Sequence, residues 1–401
     1  MRASWRWYSK KVIKMLRVSS RVALSVGILS VVSCSSPLIV APLPPTTAAF
    51  GLVAPTTGTS LKVTVQDRRR DSEYHGTGFI LASPIFGKGL SEMEVGGGGL
   101  LTPNYFGYAS GDRDAVSKVF QAAAKESLDV MGMSREEGLT LELVIQDFRI
   151  DFHQVKGTTG PNKPGPATPM NCVGYGLVEA VLRTADGGEL HRRAFRLTYY
   201  ETNPPSFTAS GLELMQACAS RVYTLAAWES SVATLREHHG WKADPGRLQA
   251  QLGRLDGEKD PIARRKLVFW LGLTGQESEP VKERLLSLFR SEKDQAVRQA
   301  AAVSLGMLGA REIGGEVEGI LSGSKPNPAW DNSDTEQVWY LLRTVSLLGT
   351  SELEAKIPKT KLFRRRNLEN LARFQQTGTI PPPSETAARV TDKMKQGRSR
   401  P

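Results

Sequence analysis

The chain has 401 residues, 40% apolar and 23% charged, which excludes collagen-like and wholly disordered classes and leaves room for two or three domains. Its formal net charge of +11 sits at the two ends. Residues 1–21 hold seven Lys or Arg and no acid, residues 355–401 hold twelve against three, and the body between them has 33 basic and 38 acidic groups. Recognition of nucleic acid needs a basic face on a fold, so no nucleic-acid partner is expected.

The amino end opens with Arg2, Arg6, Lys10, Lys11, Lys14, Arg17 and Arg21, then Val22–Val32, eleven apolar or small residues. That run has the length of a signal h-region and falls short of the ~20 residues a membrane span needs. Val31-Val32-Ser33-Cys34 follows where a cleavage site belongs, and it resembles the lipobox of bacterial lipoproteins. The resemblance implies removal of residues 1–33 and lipidation of Cys34, which anchors the chain to a membrane. An uncleaved anchor and a signal peptide cut elsewhere are the other readings. Residues 34–60 are uncharged, with several Pro and Thr, and read as a semi-extended tether. By resemblance to enterobacterial lipoproteins, Ser35 after the cysteine implies the periplasmic face of the outer membrane ahead of the inner membrane.

The elements of an expected domain over residues 61–240 follow. Leu61–Val65 alternates as a half-buried strand, and Val116, Val119, Phe120, Ala123, Leu128 and Met131 recur at helical spacing. Leu139–Ile145 and Phe148–Phe152 read as strand, and the apolar phase slips by one between them, which predicts a bulge. Residues 155–170 form a Pro-rich connection. Val173–Leu182 and Leu190–Tyr200 flank Ala185-Asp186-Gly187-Gly188, a hairpin turn, and an amphipathic helix spans roughly 211–236. The order predicts an α+β fold, mainly an antiparallel sheet with helices on one face. Cys172 and Cys218 are the only other cysteines. A disulfide between them and a buried thiol on the apolar face Met215–Cys218–Val222–Leu225 are both open.

At this point the lipobox, the tether, the "KVTVQDRR" strand, the long helix, the "LELVIQDF" strand and the later hairpin and helix resemble the YajG-type family of bacterial envelope lipoproteins, over about residues 28–236. That resemblance implies envelope location and an α+β fold, with no chemistry to carry over. The glycine-rich segment near residue 96 departs from it.

The carboxyl half repeats. Asp260 and Arg264 lead to Leu271-Gly272 and Gly275; Asp294 and Arg298, 34 residues on, lead to Leu305-Gly306 and Gly309; a weaker copy starts at Asp334 and closes at Gly349. Asp starts a helix by capping its free amides, and Gly closes it in the left-handed conformation. Second helices are expected over Val281–Phe289 and Ile313–Leu321. "DQAVRQAAAVSLGMLG", residues 294–309, resembles the first helix of a bacterial HEAT-like repeat. A short all-α HEAT-like domain over residues 250–355 is therefore expected. The resemblance implies that Asp260, Arg264, Asp294 and Arg298 form a structural ladder between units. Residues 356–401 read as a basic, largely disordered tail, solvated or in contact with anionic lipid headgroups, with a basic helix that turns Leu362, Leu368 and Leu371 inward as the other reading of its first part.

Chemistry-bearing motifs are sparse. There is no phosphate-binding glycine loop, no Gly-x-Ser-x-Gly elbow and no Cys-x-x-Cys, and His75, His153, His191, His238 and His239 show no pair at helical ligand spacing. No cofactor, metal site or catalytic residue is expected. Asp67, Asp71, Glu73 and His75 cluster after the first strand, where a solvated charged loop is the plain reading and acid/base chemistry the sharper one. The expectation is a non-enzymatic, lipid-anchored bacterial cell-envelope protein that binds or scaffolds another envelope protein. The alternative is an envelope enzyme or accessory subunit with its site within residues 61–111.

Overall fold

A computed structural model describes residues 38–39, 61–69, 79–82, 104–109, 113–131, 138–154, 170–202, 211–239, 243–360, 362 and 365–382. The leader, most of the tether, Cys34, the glycine-rich segment and residues 383–401 lie outside that set. The fold is α+β: a mixed sheet followed by a run of helices. Its four main strands are β1 (Lys62–Asp67), β2 (Thr140–Gln154), β3 (Met170–Arg183) and β4 (Glu189–Thr202).

β1 pairs in parallel with the first half of β2, Val63 opposite Leu141, and helix α1 (Arg113–Met131) forms the crossover between them. Antiparallel pairing then joins β2 to β3 and β3 to β4. Short strands Asn104–Ala109, Phe79–Ala82 and Leu38–Ile39 continue the sheet beyond the second half of β2. The expected bulge is present, with the β2–β3 register shifting between Ile145 and Asp147. The hairpin also forms: Gly187 takes φ +88°, a conformation open to glycine at low cost, and the Thr184 amide donates to the Gly188 carbonyl at 2.9 Å.

Helix α2 (Gly211–His239) lies across one face of the sheet beside α1. Phe120 of α1, Phe148 of β2 and Tyr223 of α2 meet with ring centroids 4.7–5.9 Å apart. Gly174 and Gly176 of β3 leave the room these side chains use: a Cβ at Gly174 would overlap Val222, and one at Gly176 the Phe148 ring. Cys172, on the same face, is bridged to Cys218 of α2 with Cα atoms 6.2 Å apart. Of the two open readings for these cysteines, the structure has the disulfide.

Helices cover both faces of the sheet, which corrects the expectation of one. Successive strand residues point to opposite sides. Gly174 faces α2, whereas its neighbour Tyr175 packs edge-on against Phe374 of α9 (Arg365–Thr377), centroids 5.5 Å apart. Leu368, Leu371 and Phe374 are fully buried there, and Arg149 of β2 donates to the Pro381 carbonyl. Residues 365–382 are thus a helix and strap closing the second face. The expected basic helix with Leu368 and Leu371 inward is present, and the reading of 356–401 as largely disordered is corrected for that part. An apolar stripe at helical spacing outweighed the basic composition around it.

Between α2 and α9 run α3 (Pro245–Gly257), α4 (Pro261–Thr274), α5 (Glu279–Ser291), α6 (Gln295–Leu308), α7 (Gly314–Ser322) and α8 (Thr335–Leu347). The offset of 34 relates α4 to α6 and also α3 to α5. α4, α6 and α8 stack side by side, brought close by small residues: a Cβ on Gly272 would lie 2.6 Å from Ser304 Cα, and one on Gly306 3.2 Å from the Thr344 carbonyl. One continuous core runs from the sheet through these helices to Phe374, with Trp228, Trp270 and Trp339 fully buried in it. Among the described residues no helix is long and apolar enough to cross a membrane.

Candidate functional site

The repeat residues act mainly as caps. Asp260 accepts from the Ile262 and Ala263 amides, Asp294 from Val297, and Asp334 from Glu336 and Gln337. Gly309 closes α6 at φ +71° as expected, but Gly275 sits at φ −85° and is not left-handed. The expected Asp–Arg ladder runs through another residue. Arg264 binds Glu292 at 2.5 Å, the Glu292 carboxylate accepts the Asp294 amide at 3.0 Å, and Arg298 donates to the Glu292 carbonyl. Glu258 accepts the Asp260 amide in the same way one unit earlier. The signal was the repeated Glu-Lys-Asp at 258–260 and 292–294.

Of the acidic cluster after the first strand, Asp67 is described, and its carboxylate is held by Arg69 at 2.5 Å with both side chains buried. A carboxylate so paired is a structural ion, not a base waiting for substrate. Asp71, Glu73 and His75 lie outside the described residues. Among the described residues no group of three or more His, Cys, Asp and Glu could hold a metal ion.

A polar junction fastens the helices to the sheet, and no sequence motif announced it. Glu201, buried near the end of β4, accepts from Arg265 Nη1 of α4 at 2.6 Å and from Arg221 Nε of α2 at 3.0 Å. Arg265 Nη2 also donates to the Tyr200 carbonyl at 3.1 Å and to the Tyr340 hydroxyl of α8, which itself donates to the Tyr200 carbonyl. A cavity of about 350 Å³ opens beside this junction, lined by Arg221, Lys266 and Phe269 among others. Burial, then the neighbouring Arg221 charge, lowers the Lys266 ammonium to about 8. Nearby, Thr202 donates to Glu336 at 2.8 Å, and burial pushes the Glu336 carboxyl up to about 7.

The larger cleft, about 990 Å³, spreads from Gln146 of β2 and Leu177–Glu179 of β3 to Arg193–Arg196 at the outer edge of β4. Its far wall is the end of α8, the turn Gly349–Ser351 and Gln375–Gln376 at the end of α9. At its floor Glu229 of α2 accepts from Tyr199 and from Arg343 of α8 at 3.1 Å. Arg196 donates to the Gln375 and Gln376 carbonyls at 2.7 and 3.0 Å. Among the described residues the cleft thus brings a strand edge together with Arg193, Arg196 and Arg343 and with the carboxylates of Glu179 and Glu229.

Comparison of the chain with protein-family models, with curated proteins and with solved structures found no match to any of them.

Proposed function

We propose that the chain is an exported, lipid-anchored protein of the bacterial cell envelope that binds another envelope component rather than turning over a substrate. The observation that carries this reading is the Cys172–Cys218 bridge, because such bonds persist where the surroundings are oxidising. The leader and Cys34 belong to the same reading, since they describe a route to that compartment. Ser35 favours the periplasmic face of the outer membrane. The YajG-like resemblance of the first half belongs to the same reading, since it implies an envelope location. The two helix pairs offset by 34 residues, with Asp caps and small-residue contacts, support the HEAT-like one.

The array does not extend as a free arm. Its first helices grip β4 through Arg265 and Tyr340, so it braces the sheet. Binding then falls to the cleft that the brace and β4 form together. Intact-mass measurement and membrane fractionation of wild type and Cys34→Ala test the address, with a lipid-sized mass loss and release from membranes expected. Equal masses and equal membrane retention overturn it. Crosslinking in cells tests the binding reading, which fails if no envelope component is captured from any surface position.

A further inference from the structure

We propose that the cleft along β4 receives an extended, acidic peptide segment of a partner protein, which adds as the next strand of the sheet beside Arg192–Arg196. The proposal rests on the binding reading above and names its partner class.

Backbone geometry supplies the first observation. In an antiparallel pair, alternate residues turn their amide and carbonyl groups away from the partner strand. The Tyr200 carbonyl takes its hydrogen bonds from Arg265 and Tyr340, and the Arg196 carbonyl takes one from Gln375, so the even-numbered residues of β4 face outward. Arg192 and Ala194 share that phase, and both are exposed. Among the described residues no strand pairs with this edge.

Helix α8 provides the second. Glu336 meets Thr202, Tyr340 meets the Tyr200 carbonyl, and Arg343 meets Glu229 beside Tyr199. Glu336 to Arg343 climbs about 10 Å, which matches the span of strand from Thr202 to Tyr199. The helix therefore lies along the edge and covers it, the usual protection of an exposed strand. It ends at Leu347, and Gly349 at φ +97° turns the chain away, leaving the cleft beside Ala194 and Arg196. Cover stops halfway down a 14-residue strand.

Charge chooses the occupant. Arg192 is balanced by Glu179 and Glu189, Arg193 by Glu237 and Arg343 by Glu229. Arg196 has only carbonyl acceptors among the described residues, which leaves its charge for an incoming carboxylate. The chain's own carboxyl end is a poor occupant, because residues 383–401 carry five Lys or Arg against two acids. Arginines along the edge also disfavour pairing with a second, identical edge. Strand addition takes affinity from main-chain hydrogen bonds and specificity from alternate side chains.

The test uses the full chain and two end-blocked hexapeptides, one alternating valine with glutamate and one valine with lysine. Fluorescence titration measures affinity, and amide exchange reads protection at residues 192 and 194. Binding of the glutamate peptide alone, with protection at both amides, is expected. Ala194→Pro removes one outward donor without breaking the β3–β4 ladder, so it should abolish binding while the melting temperature moves little. Arg196→Glu should weaken binding by about tenfold or more. Equal binding of both peptides, no binding of either, or affinity unchanged in both variants overturns the proposal, and so does a wild-type dimer that Ala194→Pro makes monomeric. If crosslinking still captures an envelope partner when the peptide fails, strand addition alone is refuted. If neither succeeds, the binding reading falls with it.

Discussion

Glu201 and Arg265, 64 residues apart in the chain, form a 2.6 Å ion pair between the sheet and the first helix of the repeated array. The Glu201 side chain is 1% exposed and that of Arg265 10%, so neither charge keeps its hydration. A buried pair is a weak source of net stability, but removing one member leaves the other without compensation. Glu201→Ala, which takes from buried Arg265 the carboxylate it is paired with, should therefore cost about 3–5 kcal/mol in urea unfolding. Arg290→Ala, which breaks the exposed pair with Glu316, should cost less than about 1 kcal/mol. Equal losses would show that the junction is not what holds the halves together.

The Glu336 carboxyl predicts a pH dependence. Burial raises it from 4.5 to about 7, so the folded state binds a proton that the unfolded state has already released. Stability from this group is fully present below pH 4.5 and is lost as pH rises through 7. Glu336→Gln keeps the neutral form at every pH and should flatten that part of the curve. Asp334, Arg265 and Glu201 face the same carboxyl, so the difference between the two proteins is the quantity to measure by thermal melts at a series of pH values.

The disulfide closes 46 residues of chain. Loop-closure entropy makes its loss worth about 4 kcal/mol, so reductant should lower the denaturation midpoint of wild type and leave a Cys172→Ala/Cys218→Ala double variant unchanged. Because both cysteines are fully buried, alkylation should require unfolding as well as reduction. A wild-type midpoint indifferent to reductant contradicts the bridge.

Two glycines should respond in opposite directions. A Cβ on Gly272 presses on Ser304 Cα, backbone that cannot rotate aside, so Gly272→Ala should destabilise by about 1–3 kcal/mol. Gly253 is mid-helix in α3 with nothing within 4 Å of its would-be Cβ, so Gly253→Ala should stabilise by about 0.5–1 kcal/mol. Calorimetry of the pair compares close helix approach with plain helix propensity in one molecule.

Local patterns were legible wherever period and punctuation agree. The alternation of β1, the phase slip before Phe148, the hairpin at Gly187-Gly188 and the Asp starts of α4, α6 and α8 all stand where the residues placed them. The candidate site was not legible. Glu201 and Arg265 carry no periodic signal of their own; one sits in a strand and the other beside the repeated Arg264. Arg264 does reach the next repeat unit, but through Glu292, two residues ahead of the cap, a partner that the Asp–Arg spacing did not indicate.

By itself the sequence determined the main strands and the repeated helices, their Asp caps and the hairpin turn, the repeat offset and the uneven charge, because these depend on neighbours within a few residues. Tertiary structure alone decided that β1 joins in parallel, that Phe374 closes a second face of the sheet and that α8 covers only half of the β4 edge. Those outcomes depend on which distant surfaces bury each other, and no local pattern encodes the choice. The open length of strand at Ala194 exists because a helix 13 residues long meets a strand 14 residues long at a quite different rise per residue.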